Sequence, residues 1–293
     1  MRAKRHGLRL PTLHERTRRW LCRTVFVAVC PLPTLAVLGW AAWSHTPMHR
    51  HACARQLGRD LGVRVTIAGI VYPRPGTTIL HGLELAELET GQTLLAADML
   101  HATGGRQDLR VSAARVQIAH ADLNSLADIC ATHLRTWSEG SVRFAAGSVA
   151  IGAETLARLR GRLESTPTGV KTLVRFESTR APTTAAAWLS VVRDRQVSPP
   201  STRIELNTGE TRLACATLGQ IAPALRQFGD TARFHGWFKA CHRVGTWEGE
   251  LVGTLTEVDL ARLLAAGCPH RLSGRAGIAI QRASFRQGRL VTA

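Results

Sequence analysis

Residues 246–256 read TWEGELVGTLT, in which Trp247, Gly249, Leu251, Gly253 and Leu255 alternate with Glu248, Glu250, Val252, Thr254 and Thr256. Successive side chains of an extended chain point to opposite faces, so a period of two predicts a strand with one greasy face and one wet face. The same period recurs along the chain. Val63, Val65 and Ile67 alternate with Arg64 and Thr66. Val170, Thr172, Val174 and Phe176 alternate with Lys171, Arg175 and Glu177, with Leu173 as the one exception. Ala276, Ile278 and Ile280 repeat the pattern near the end. Glycines such as Gly76, Gly82, Gly91, Gly147, Gly161, Gly209 and Gly288 mark short connections. Short strands joined by tight turns predict a β-rich α+β domain with an antiparallel sheet, not a parallel sheet covered by helices.

A few helices interrupt the strands. Leu126, Ile129, Cys130, His133, Leu134 and Trp137 suit one helix face. Leu218, Ile221, Ala222, Leu225 and Phe228 suit another, closed by Gly229 and kinked or delayed by Pro223. Leu260, Leu263 and Leu264 suit a third. Ser198-Pro199-Pro200-Ser201 is the best linker candidate and would separate a β-rich region over 62–197 from a second over 202–293. The stretch 272–293 reads as a hairpin whose second strand is an uncovered edge. Such an edge is expected to be covered by a second subunit or a partner strand, or to continue into a longer β-structure.

The N-terminus carries the strongest single signal. Residues 1–23 hold Arg2, Lys4, Arg5, Arg9, Arg16, Arg18, Arg19 and Arg23 against one acid, Glu15. Then Thr24 to Trp43, TVFVAVCPLPTLAVLGWAAW, carries no charge. At about 1.5 Å per residue this stretch matches the roughly 30 Å hydrocarbon core of a bilayer. Trp20, Trp40 and Trp43 stand where aromatic rings favour the headgroup zone. The reading is a basic cytoplasmic tail over 1–23, a single transmembrane helix with ends at Thr24 and Trp43, and the rest of the chain beyond the membrane. A cleaved signal peptide is disfavoured by the length of the apolar run, although Gly39-Trp40-Ala41 has the small-x-small form. Thr17-Arg18-Arg19-Trp20-Leu21 has the look of a twin-arginine export signal, in a stretch too rich in arginine for that to be specific. A juxtamembrane helix is expected over 44–61, with Thr46 as N-cap, Pro47 at the first helical position and Gly62 as the stop.

Charge and motif content set limits on function. The chain has 293 residues, 38 basic against 21 acidic, and a formal charge of +17. Only Lys4, Lys171 and Lys239 are lysine, a bias that nucleotide composition can produce without selection for chemistry. Beyond the tail the basic surplus is scattered in sequence and follows no nucleic-acid-binding motif, so no nucleic-acid partner is expected. No G-x-S-x-G elbow, H-E-x-x-H, P-loop or G-x-G-x-x-G is present. The 7 cysteines include no C-x-x-C pair. Cys215 and Cys241 flank one segment and could be bridged outside the cytosol, but burial as small apolar residues is the preferred reading. His45, His49 and Cys53 share a helical face in loose metal-ligand geometry, with no second cluster to complete it. No catalytic, cofactor-binding or metal-ligating residue is assigned, and the expected protein is non-catalytic.

Leu61-Gly62-Val63-Arg64-Val65-Thr66-Ile67 follows the tail, span and helix. After it come GTTILHGLELAEL, Gly76 to Leu88, and Glu89-Thr90-Gly91-Gln92-Thr93-Leu94-Leu95. Together with the strand-like Gly274 to Ala293, this order resembles the AsmA-like proteins of double-membrane bacteria, relatives of TamB. The resemblance covers about residues 20–100 and 246–293. It implies an inner-membrane anchor, a periplasmic body, and a curved, groove-like sheet whose apolar concave face holds phospholipid acyl chains. Independently of the resemblance, strands with a continuous greasy face must either close into a core or bind something apolar. Packing of those faces against the predicted helices as an ordinary α+β core therefore remains open beside the groove. The leading expectation is an envelope protein that handles lipid or supports envelope assembly. The alternative is a membrane-tethered interaction module that pairs through its C-terminal edge strand.

Overall fold

The computed structural model describes residues 15–105, 107–119, 139–152, 154–178, 185–219, 225, 228–243, 246–263, 273–286 and 289–292. The helix expected around 126–137, most of the one centred on 221–223, and Cys130 and Cys268 lie outside these residues. The chain forms two units, Met1–Arg50 and His51–Ala293.

In the first unit α1 (Glu15–Val29) and α2 (Pro31–Ser44) make one helical run, Glu15–Ser44, long and apolar enough to cross a membrane. The run is interrupted at Cys30 because Pro31 has no N–H to donate to the preceding turn. Cys30 keeps helical dihedrals (φ −98°, ψ −69°) and donates to the Phe26 carbonyl at 2.9 Å, so the direction of the helix persists. Thr24 and Thr34 satisfy their hydroxyls on the carbonyls of Trp20 (2.6 Å) and Cys30 (2.8 Å), the economical solution for a hydroxyl on an apolar helix. α3 (Pro47–Leu61) follows, with the expected ends. The Thr46 hydroxyl accepts from the His49 N–H at 3.3 Å. Gly62 takes φ +69° and the Val63 N–H donates to the Gly58 carbonyl at 3.1 Å, a Schellman stop.

The second unit is one open 14-stranded sheet among the described residues. In chain order its strands are β1 (Arg64–Arg74), β2 (Thr77–Ala86), β3 (Thr93–Gly104), β4 (Asp108–Ile118), β5 (Gly140–Ile151), β6 (Glu154–Thr166) and β7 (Gly169–Ser178). Then come β8 (Ala187–Asp194), β9 (Ser201–Asn207), β10 (Leu213–Ala214), α4 (Cys215–Leu218), β11 (Arg233–Arg243), β12 (Thr246–Asp259), α5 (Leu260–Leu263), β13 (Arg275–Arg286) and β14 (Arg289–Thr292). Sheet order follows chain order, except that β11 pairs with both β9 and the short β10. Among the described residues all pairs are antiparallel save one: β4 and β5 run parallel, with Asp108 opposite Ser141 and Ile118 opposite Ile151. An all-antiparallel expectation fails here because the connection over 119–139 is long enough to return the chain to the end at which β4 began. Residues 198–200 lie in the connection between two paired strands and Ser201 opens β9 opposite Asp194, so the sheet runs across this stretch without a break.

The sheet curls. The Arg233 guanidinium donates to the Glu154 carboxylate at 2.8 Å although β7, β8 and β9 lie between their strands. At about 4.8 Å per strand a flat sheet would set those positions roughly 19 Å apart, further than the two side chains reach. One buried cluster joins Ala146 and Val149 of β5, Phe176 of β7, Leu206 of β9, Phe234 and Phe238 of β11, Leu255 of β12 and Ala283 of β13.

Candidate functional site

Strand register builds the apolar face. Ile70, Leu80, Leu100, Ala113, Ala146 and Leu159 stand opposite one another in a row across β1 to β6. A neighbouring row runs Ala102, Val111, Phe144, Gly161, Val174 and Leu189, and continues through Leu206, Phe238 and Leu251 to Ala283. Each row is a cross-strand line of apolar side chains with no charged member. A third row, Ile67, Leu83, Ala97, Val116, Val149 and Leu156, lies three residues along each strand from the first. Strict alternation would turn this row to the opposite face. It does not turn, since Ala146 and Val149 share one buried cluster. Between the two rows the paired register skips positions such as Gly82, Ala114, Gly147 and Arg158, while Gly69, His81, Arg115, Ser148 and Ala157 keep their partners. Gly82 at φ +56° and Arg158 at φ +48° supply left-handed backbone there. This irregular line crosses six strands and keeps the greasy side chains on one face along their length.

The two ends of that face are filled differently. Toward β9–β13 the chain fills it itself. Leu218 of α4 and Leu225 sit in the core cluster with Leu206, Phe234 and Phe238, and Phe234, Leu255 and Val258 are fully buried. Toward β1–β6, Leu80, Leu100, Val111, Phe144 and Leu159 remain half-buried. The buried cluster also takes in Ala146, Val149 and Leu156 of β5 and β6, so the half-buried side chains flank the core on the same face. Phe144 lies against Gly161 so closely that a Cβ there would strike the ring. The Glu154–Arg233 pair links β6 to β11, and burial pushes the Cys215 thiol up to about 12 against a smaller opposing pull from Arg233.

Of the residues marked from sequence as span ends, Thr24 falls inside α1, which continues back to Glu15, and Trp43 falls one residue before the end of α2. The Trp20, Trp40 and Trp43 rings are exposed. His49 packs edge-on against Trp43, centroids 4.4 Å apart, while Cys53 contacts Tyr72, whose phenol is raised first by burial and then by that thiol. Among the described residues no group of three or more His, Cys, Asp or Glu side chains could hold a metal ion. Cys215 and Cys241 are free thiols.

A feature of the opposite, polar face escapes a linear reading. Arginines scattered in sequence converge there through the register. Arg110, Arg143 and Arg162 are consecutive partners in one cross-strand row, and Arg160 and Arg175 are partners in the next. They line a depression of about 550 Å³ together with Ser112, Ala145, Gly161, Leu173 and Phe144. The sequence matches no protein-family model and no curated protein.

Proposed function

We propose that the chain is a single-pass, AsmA-like envelope protein. Its Thr24–Trp43 segment is embedded in the inner membrane with the N-terminus cytoplasmic, and its sheet stands in the periplasm and holds lipid acyl chains without catalysis. The observation that carries this reading is the register: unbroken apolar rows across the open, half-buried side of a curled sheet. At about 0.8 kcal/mol per buried methylene, a trough of this kind grips a chain of several methylenes with no polar chemistry. The basic tail and the tryptophans around the apolar helix favour the stated orientation. Purification in mild detergent followed by lipid mass spectrometry tests the reading. Co-purifying phospholipid is expected well above that of a single-span control protein, and lower in Leu100→Asp. Phospholipid at the control level refutes it.

A second reading uses the sheet edge. Among the described residues β14 pairs only with β13, which leaves a ladder edge able to take a partner strand. Cysteine crosslinking from position 291 is expected to trap a second chain, and recovery of uncrosslinked monomer alone would reject this reading.

A further inference from the structure

The arginine cluster stands on the polar face, and Val111, Phe144 and Gly161 of the apolar row also line its depression. Side chains directly opposite each other in adjacent strands stand about 5 Å apart, and like charges so placed destabilise a sheet. Five guanidinium groups gathered on four strands therefore need compensation. The protein supplies it for three of them. Asp108 bridges Arg143 at 2.8 Å and Arg110 at 3.9 Å, and Glu164 pairs with Arg162 at 2.6 Å. Arg160 and Arg175 have no carboxylate partner among the described residues, and both line the depression. Beside the arginines the lining is uncharged, with Ser112, Ala145, Gly161 and Leu173 among it. The volume lies in the range of small-molecule sites, roughly 300–1,000 Å³.

Guanidinium forks match the oxygens of phosphate in bidentate fashion. One phosphate is too small to meet two rows of them. An extended polyanion such as RNA is also disfavoured, because Asp108, Glu164 and Glu177 border the cluster and would repel a strand running past it. We propose that this depression binds a compact ligand carrying two or more phosphate groups. Such a group is found both in soluble phosphorylated molecules and in diphosphate-bearing lipid headgroups, and the same recognition chemistry serves either source.

The test uses the full chain in detergent, with inorganic pyrophosphate titrated by calorimetry. Pyrophosphate is expected to bind about tenfold or more tightly than orthophosphate, since it engages both rows. The Arg160→Gln/Arg175→Gln double variant removes no ion pair and is expected to weaken binding about tenfold or more. Arg203→Gln, on the same face outside the cluster, is expected to leave it unchanged. Asp108→Asn releases Arg143 and Arg110 from their carboxylate and is expected to strengthen binding, an outcome that misfolding cannot imitate. Cardiolipin doped into the micelles assigns the source: displacement of pyrophosphate indicates a lipid headgroup, and undisturbed pyrophosphate binding indicates a soluble ligand. Equal affinity for orthophosphate and pyrophosphate, pyrophosphate binding unaltered in the double variant, or an RNA oligonucleotide that binds without competition from pyrophosphate overturns the proposal.

Discussion

Gly161 shows how much rests on one missing side chain. It belongs to an apolar row in which every other position from Val111 to Leu206 carries a side chain, and the Phe144 ring fills the vacant place. Gly161→Val forces that ring aside and is expected to destabilise the sheet by about 1–3 kcal/mol, read from urea unfolding. Gly249 repeats the device with the Phe285 ring, which stacks on Phe238 at 5.7 Å. Cys215 makes a second residue-level claim. Its thiol is buried, and burial raises it to about 12, so it stays protonated and unreactive near neutral pH. Cys215 is expected to resist iodoacetamide in the folded protein and to react once denaturant is added, whereas the exposed Cys22 reacts in both states when detergent leaves it accessible. Sequence foresaw burial for Cys215 but not the arginine cluster: spacing along a chain says nothing of which strands become neighbours.

At the level of single elements the correspondence with sequence is closest where local chemistry decides. α3 begins at Pro47 under the Thr46 cap and stops at Gly62, as its cap residues predict, because capping satisfies backbone groups within one turn. Gly62→Val places a branched side chain at φ +69° and is expected to lower stability by about 1–2 kcal/mol, measured as a shift of the thermal midpoint. Strands β1, β7, β12 and β13 also follow from the period of two. β3 does not, because TLLAADMLHATG crosses the irregular line near Asp98 and Met99, where the period slips by one residue. The parallel β4–β5 pair was beyond a reading of local turns as well. It depends on where a long connection delivers the chain, and no residue within either strand encodes that.

For the whole molecule the curl of the sheet matters most, and the Glu154–Arg233 pair reports it. Glu154 is buried and Arg233 is nearly so, which makes the pair sensitive to the loss of one partner. Glu154→Ala is expected to cost about 3 kcal/mol, and the companion Glu154→Ala/Arg233→Met variant substantially less, because the second change removes the stranded charge. Neither partner could be paired from sequence, being 79 residues apart on strands that do not adjoin. The apolar faces were readable; how much of them the chain would cover itself was not, since that depends on where Leu218 and Leu225 pack. The proposal of an acyl-chain trough concerns the remainder, and it distinguishes neighbouring residues: Leu100 belongs to the apolar row, while His101 lines the arginine-rimmed face. The most direct measurement places a photo-crosslinking amino acid at position 100 or at position 101 in the membrane-embedded chain and analyses adducts by mass spectrometry. The account predicts phospholipid acyl adducts at 100 and few at 101; no lipid at 100, or equal yields at both, would contradict it.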